Sequence, residues 1–116
     1  MSDTSDAVSV VAAFGVAWGA HDLDKALSMI TDDCRFEATG PAPDGTQHKG
    51  LDEIRLAWQP IFDNTKSKFE VEESLAMGDR VVERWCYSWD GGHIRGVDLF
   101  RVRDGKVCEK FAYVKG

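Results

Sequence analysis

Residues 80–114, RVVERWCYSWDGGHIRGVDLFRVRDGKVCEKFAYV, read as a three-stranded antiparallel meander around which the rest of the chain is arranged. Gly91-Gly92 and Asp104-Gly105 adopt positive φ cheaply, so each marks a hairpin between runs rich in β-branched and aromatic residues. Counting outward from a two-residue Gly91-Gly92 loop sets Asp90 against His93, Trp89 against Ile94, Tyr87 against Gly96 and Trp85 against Asp98. One face then carries Trp85, Tyr87, Trp89, Ile94, Gly96, Asp98 and Phe100. This is an aromatic wall holding one carboxyl, with a gap at Gly96 opposite Tyr87, and it predicts an apolar pocket.

A carboxyl among Trp85, Tyr87 and Phe100 is desolvated, which raises its pKa toward the range in which it exchanges protons near neutrality. The competing reading is a structural Asp98 that accepts bonds from an indole or the backbone and shapes the cavity. The partner of Asp98 depends on the last hairpin. A two-residue Asp104-Gly105 loop puts Phe111 opposite it, whereas a three-residue loop from Arg103 ending in a Gly105 bulge puts Lys110 there. The second is the expected register, making Asp98 and Lys110 the candidate catalytic pair, with Lys110 drawing the Asp98 pKa down. The alternative for Lys110 is an exposed lysine on an edge strand.

Working outward, Asp3 to Asp6 offers N-caps for a first helix whose stripe is Ala7, Val11, Phe14 and Trp18, broken at Gly19. Asp22 caps a second helix with Leu23, Ala26, Leu27 and Ile30 buried and Thr31-Asp32-Asp33 closing it; Cys34 to Ala38 is a short strand. Gly40 to Gly50 is a loop long enough to lie over something. Leu51 to Phe62 is a third helix, capped near Asp52, with Ile54, Ala57, Trp58 and Ile61 inward and Pro60 bending or shortening its last turn. Lys68 to Met77 alternates with Phe69, Val71, Leu75 and Met77 on one side, and Gly78-Asp79 turns into the meander. The order helix, helix, strand, helix, four strands predicts an α+β fold, with helices on one face of an antiparallel sheet.

At 116 residues and 43% apolar, the chain suffices for one domain spanning 1–116. A net charge of −6 with scattered Lys and Arg disfavours nucleic acid and anionic membrane as partners. No apolar run approaches the roughly 18 residues of a membrane span, and no basic segment precedes the first apolar residues. Cys34, Cys86 and Cys108 are odd in number and without a recognisable spacing, which fits a reducing compartment, the cytoplasm. His21, His48 and His93 have no ligand at metal spacing, so no metal site is expected; His48 has a place at the cavity mouth instead. Phosphate-loop, dinucleotide and serine-elbow motifs are absent, so no cofactor is expected. Trp18, Trp58 and Phe14 fit core packing first and a ligand platform second.

The element order, with HDLDKALSMITDDCRFE (21–37), HKGLDEI (48–54), GDRVVERW (78–85) and RGVDLFRVRDGKV (95–107), resembles the SnoaL-like branch of the NTF2-like superfamily over almost the whole chain. The resemblance implies a cone-shaped sheet wrapped round a long helix, an apolar cavity for a small, cyclic molecule, and a homodimer formed through the sheet. With such a cavity, the candidate substrate-binding residues are Trp85, Tyr87 and Phe100 from the sheet face, Phe14, Trp18 and Trp58 from the helix stripes, and His48 from its loop. Against ketosteroid isomerases, GVDLF matches the strand of the protonated acid at Asp98, while the tyrosine position falls on Phe14 and the base on Ala38, next to Glu37. Against limonene epoxide hydrolases, Arg95 and Asp98 fall on opposite faces. Polyketide cyclases of the SnoaL type, with one Asp as acid and base, match Asp98 best. The implied reactions are isomerisation, cyclisation or hydration.

Overall fold

The computed structural model describes residues 4–116, with side chains from Asp6 onward. In chain order the elements are α1 (Thr4–Gly19), α2 (Leu23–Ser28), β1 (Ile30–Glu37), β2 (Gln47–Lys49), α3 (Gly50–Asp63), β3 (Lys68–Met77), β4 (Arg80–Trp89), β5 (Gly92–Arg103) and β6 (Lys106–Val114). The described residues form an α+β fold with one six-stranded sheet, ordered β2-β1-β6-β5-β4-β3. Neighbours are antiparallel except β1 and β6, which run parallel, so the sheet is mixed. No helix among the described residues is long and apolar enough to cross a membrane.

Ala7, Val11, Phe14 and Ala17 recur three or four residues apart along α1 and are buried in the concave face of the sheet. Of the expected caps, Asp3 lies outside the described residues. The Asp22 carboxylate accepts a bond from the Lys25 amide at 3.1 Å and starts α2 as predicted. This helix ends at Ser28, and Ile30, Thr31, Asp32 and Asp33 belong to β1. Ile30 satisfies a helical stripe and a strand equally well; pairing with Val107 on β6, and the Val107 amide on the Met29 carbonyl at 2.9 Å, decide for the strand. The N-cap of α3 is Lys49, not Asp52, and the Lys49 amide bonds the Glu53 carboxylate at 3.0 Å. Pro60 sits within α3, which continues to Asp63.

The meander is present with a shifted register. The first hairpin turns through Asp90-Gly91, with Gly91 at φ 99, so Trp89 faces Gly92, Tyr87 faces Ile94, Trp85 faces Gly96 and Glu83 faces Asp98. A shift of two leaves every side chain on its predicted face. Gly96 is thus no gap opposite Tyr87: a Cβ there would come within 2.7 Å of Trp85 Cζ2. The last hairpin turns through Asp104-Gly105, both at positive φ, not through three residues. Its register then steps by one between Arg101 and Val102, with Cys108 as the extra residue, so Asp98 faces Ala112 and Lys110 faces Phe100.

A second bulge lies in β3, where Glu72 is the extra residue between Val71 and Glu73. One extra residue reverses the faces beyond it. Phe69 therefore turns inward, while Leu75 and Met77 point away from the helices and are exposed, contrary to the single apolar side expected of this strand. Ser74 and Ala76 take the inward places.

Candidate functional site

On the concave face, neighbouring strands each contribute one residue to a row, and two such rows lie beneath a cavity, with Phe36, Asp98, Lys110 and Ala112 reaching its surface. One row is Ser74, Glu83, Asp98 and Ala112; the next is Ala76, Val81, Phe100, Lys110 and Phe36. Lys110 lies diagonally from Asp98, and its Nζ is 3.3 Å from Asp98 Oδ2. The pair is thus close by a route other than the expected one: the Cys108 bulge, not a three-residue turn, brings Lys110 onto the inner face. Both side chains are almost fully buried, at 6% and 3% exposure. The ammonium lies 4.4 Å from the Trp18 ring centroid, 5.1 Å from Phe36 and 6.0 Å from Phe100, and these π-faces replace part of its hydration. Asp98 Oδ1 is buried without a hydrogen-bond partner.

Above this floor is a cavity of about 350 Å³ with mainly apolar walls. Trp18, Phe36, Ala57, Ile61, Phe69 and Trp85 line it, as do His48, Tyr87 and Ile94. Of the predicted binding residues, Trp18, Trp85, Tyr87 and His48 line it. His48 stacks on Phe36 at 5.7 Å, and the Tyr87 hydroxyl donates to Ser67 Oγ at 2.7 Å. Phe14, Trp58 and Phe100 do not line it. They pack beneath, Phe14 at 5.7 Å from Trp58 and 5.9 Å from Phe100, and hold Trp18 and Lys110 in place. Trp89, placed by the alternation on the pocket wall, is half-exposed beyond it and packs on Tyr87 at 6.0 Å.

Sequence reasoning missed Glu83. It is 5% exposed on the concave face, directly across from Asp98, and accepts a bond from Ser74 Oγ at 3.2 Å. Burial pushes its carboxyl up to about 7; the Ser74 bond opposes this, the Asp98 charge adds to it and the Lys110 charge opposes it. A signal was available, because Val81, Glu83, Trp85 and Tyr87 alternate on one strand and Glu83 must share their face. Phe36 and Phe69 were missed as lining because they belong to β1 and β3, whose places beside the cavity the meander alone does not reveal. The Cys34 thiol is fully buried and pushed up to about 12, chiefly by desolvation, so it is a poor nucleophile. Among the described residues, no group of three or more His, Cys, Asp or Glu is placed to hold a metal ion.

The family model for the SnoaL-like domain matches residues 10–110. This chain belongs to the SnoaL-like domain family. Its fold is that of the NTF2-like superfamily, similar to an NTF2-like protein of unknown function from Mesorhizobium loti at 35% identity and a TM-score of 0.88, covering 97% of this chain and 93% of that one. It is also similar in fold to a steroid delta-isomerase from Pseudomonas aeruginosa, at 17% identity and a TM-score of 0.77 over 96% of this chain and 80% of the isomerase. An NTF2-like protein from Burkholderia xenovorans has 20% identity and a TM-score of 0.77, over 99% and 93% of the two chains. No curated protein matches the sequence. Phe14, on which the resemblance placed the isomerase tyrosine, is buried core, and Ala38, on which it placed the base, lines the cavity. Glu37 does not line this cavity, and its carboxylate accepts a bond from the Gln47 side chain on β2 at 2.8 Å. Arg95 is on the convex face, bonded to Glu72 at 3.0 Å.

Proposed function

We propose that this SnoaL-like protein binds a small, apolar, cyclic molecule and that Asp98 moves a proton on it as a general acid/base. The observation that carries this reading is the Asp98–Lys110 pair, 3.3 Å apart at the floor of the apolar cavity. A carboxylate beside a bound ketone takes a proton from the carbon next to the carbonyl, and an ammonium near the oxygen stabilises the enolate that forms. Return of the proton to another carbon is isomerisation; attack of the enolate carbon on a second carbonyl of the same molecule, opening its C=O π bond to an alkoxide that takes the proton back from Asp98, is cyclisation. Lys110 thus supplies the electrophilic assistance that Phe14 is unable to give. The cavity supplies the low dielectric that strengthens both contacts.

A thermal-shift screen of steroids, terpenoids, epoxides and aromatic polyketides at about pH 5 and about pH 8 identifies the chemical class, since a ligand of the folded state raises Tm by mass action. With a hit in hand, Asp98→Asn is expected to retain the ligand-induced shift and to lower turnover by about 10²- to 10⁴-fold. Undiminished turnover would end the acid/base reading.

A second reading, not exclusive of the first, is assembly through the convex face of the sheet. Leu75, Val82, Leu99 and Phe111 form an apolar row across four strands there, and Leu75 is 61% exposed. A row of this kind supports a homodimer, and the three free cysteines support the cytoplasm as its place.

A further inference from the structure

Glu83 lies between Ser74 on β3 and Asp98 on β5, beneath the cavity, with its carboxyl shielded from water. Directly opposed residues of antiparallel strands hold their Cβ atoms about 4.5–5.5 Å apart. Two carboxyls and a single ammonium, Lys110, are therefore enclosed together among Val81, Trp85 and Phe100. If both carboxyls were ionised, the floor would bury an unbalanced negative charge, and a buried group in that position takes up a proton instead. The ammonium lies on Asp98, so Asp98 is the better-stabilised anion. Glu83 has the Ser74 hydroxyl on Oε2 and, among the described residues, no cation within ion-pair distance.

We infer that Glu83 is a positioning residue for Asp98, holding a proton near neutral pH and coupled to Asp98 across β4 and β5 so that the floor carries one carboxylate against one ammonium. This rests on the reading of Asp98 as the proton-moving group. With Glu83 neutral, the floor presents no net charge to an apolar ligand and Asp98 is left as the base. Once Glu83 releases its proton, the floor turns negative and an apolar or anionic ligand is disfavoured. The groups that face Glu83 are Ser74 from β3, Asp98 from β5 and Lys110 from β6; α1, which packs on these strands, has among its described residues only Asp6 as a charged group, exposed at its first turn. The upward push on Glu83 from burial, with the Asp98 charge adding to it, agrees with this arrangement.

The test is a carbon-detected NMR titration of the side-chain carboxyls in the ligand-free protein, which reads the coupling whether or not the protein proves to be an enzyme. The expected result is a Glu83 midpoint near neutrality and a second inflection of the Asp98 carboxyl at that same pH, because coupled groups report each other's titration. In Asp98→Asn, the Glu83 midpoint is expected to fall by about one pH unit or more, the size of coupling that defines an interacting pair. A Glu83 midpoint in the ordinary carboxylate range would overturn the inference. So would an Asp98 signal with no inflection at the Glu83 midpoint, a result obtained on the wild-type protein alone. Failure of the catalytic reading appears elsewhere, as Asp98→Asn with undiminished turnover.

Discussion

Replacing Glu83 by Gln should change how the stability of this protein depends on pH. In the unfolded chain the Glu83 carboxyl has its ordinary value of 4.5, whereas in the folded protein it is pushed up to about 7. Between those values the unfolded chain has lost the proton and the folded chain keeps it, so the folded state binds more protons and the unfolding free energy falls as pH rises. The stability associated with this group is complete below about pH 4.5 and gone above about pH 7. At about 1.4 kcal/mol per pH unit, the gap is worth about 3 kcal/mol, a large share of the stability of a typical domain. Gln keeps the shape and an oxygen for the Ser74 hydroxyl but does not ionise. Glu83→Gln is therefore expected to gain about 3 kcal/mol on the wild type between about pH 4.5 and about pH 8, or about 10 °C in Tm for a chain of this size. Urea melts of both proteins at several pH values measure this, with the slope m constant so that midpoints report stability. Titrating groups remote from Glu83 are common to the two proteins and cancel in the difference, which therefore reports Glu83 together with its coupling to Asp98. Parallel profiles for variant and wild type would refute the claim that Glu83 is protonated in the folded state.

Gly96→Ala places a Cβ 2.7 Å from Trp85 Cζ2 and against the Tyr113 carbonyl. The backbone oxygen has little freedom to yield, so a loss of about 1–3 kcal/mol is expected in thermal or urea melts, with a change in Trp85 fluorescence as the indole is displaced from the cavity wall. Leu75→Asp puts a charge at the β3 end of the convex apolar row; on the reading of that face as a dimer interface, light scattering is expected to show a dimer for the wild type and a monomer for the variant, while Tm at low concentration stays close to the wild type because Leu75 is 61% exposed.

The faces of the meander were legible in the sequence even though its first register was not. Side chains alternate with period two, so turning through Asp90-Gly91 instead of Gly91-Gly92 moved every cross-strand partner and left Trp85, Tyr87 and Asp98 on one side. The same tolerance does not extend to a bulge. A single extra residue at Glu72 sent Leu75 and Met77 outward, and one at Cys108 brought Lys110 inward. Neither residue carries a local mark, because a bulge is chosen by how two strands must bend to cover the same helix. Ile30 shows the same limit at the N-terminal end, where helix and strand periods both bury it.

What the sequence determined by itself is therefore the set of elements and the chemistry available: the apolar stripe of α1, the hairpin dipeptides, and Asp98 among aromatics. Those are local properties, set by φ preference and side-chain period within a few residues. Only the tertiary structure decided which of Phe14, Trp18, Trp58 and Phe100 meets a ligand, since all four are apolar and the distinction is depth beneath a surface made by distant strands. It also decided the electrostatics of the floor. Asp98, Lys110 and Glu83 come from three strands, and their charges act on one another because folding removes the water between them.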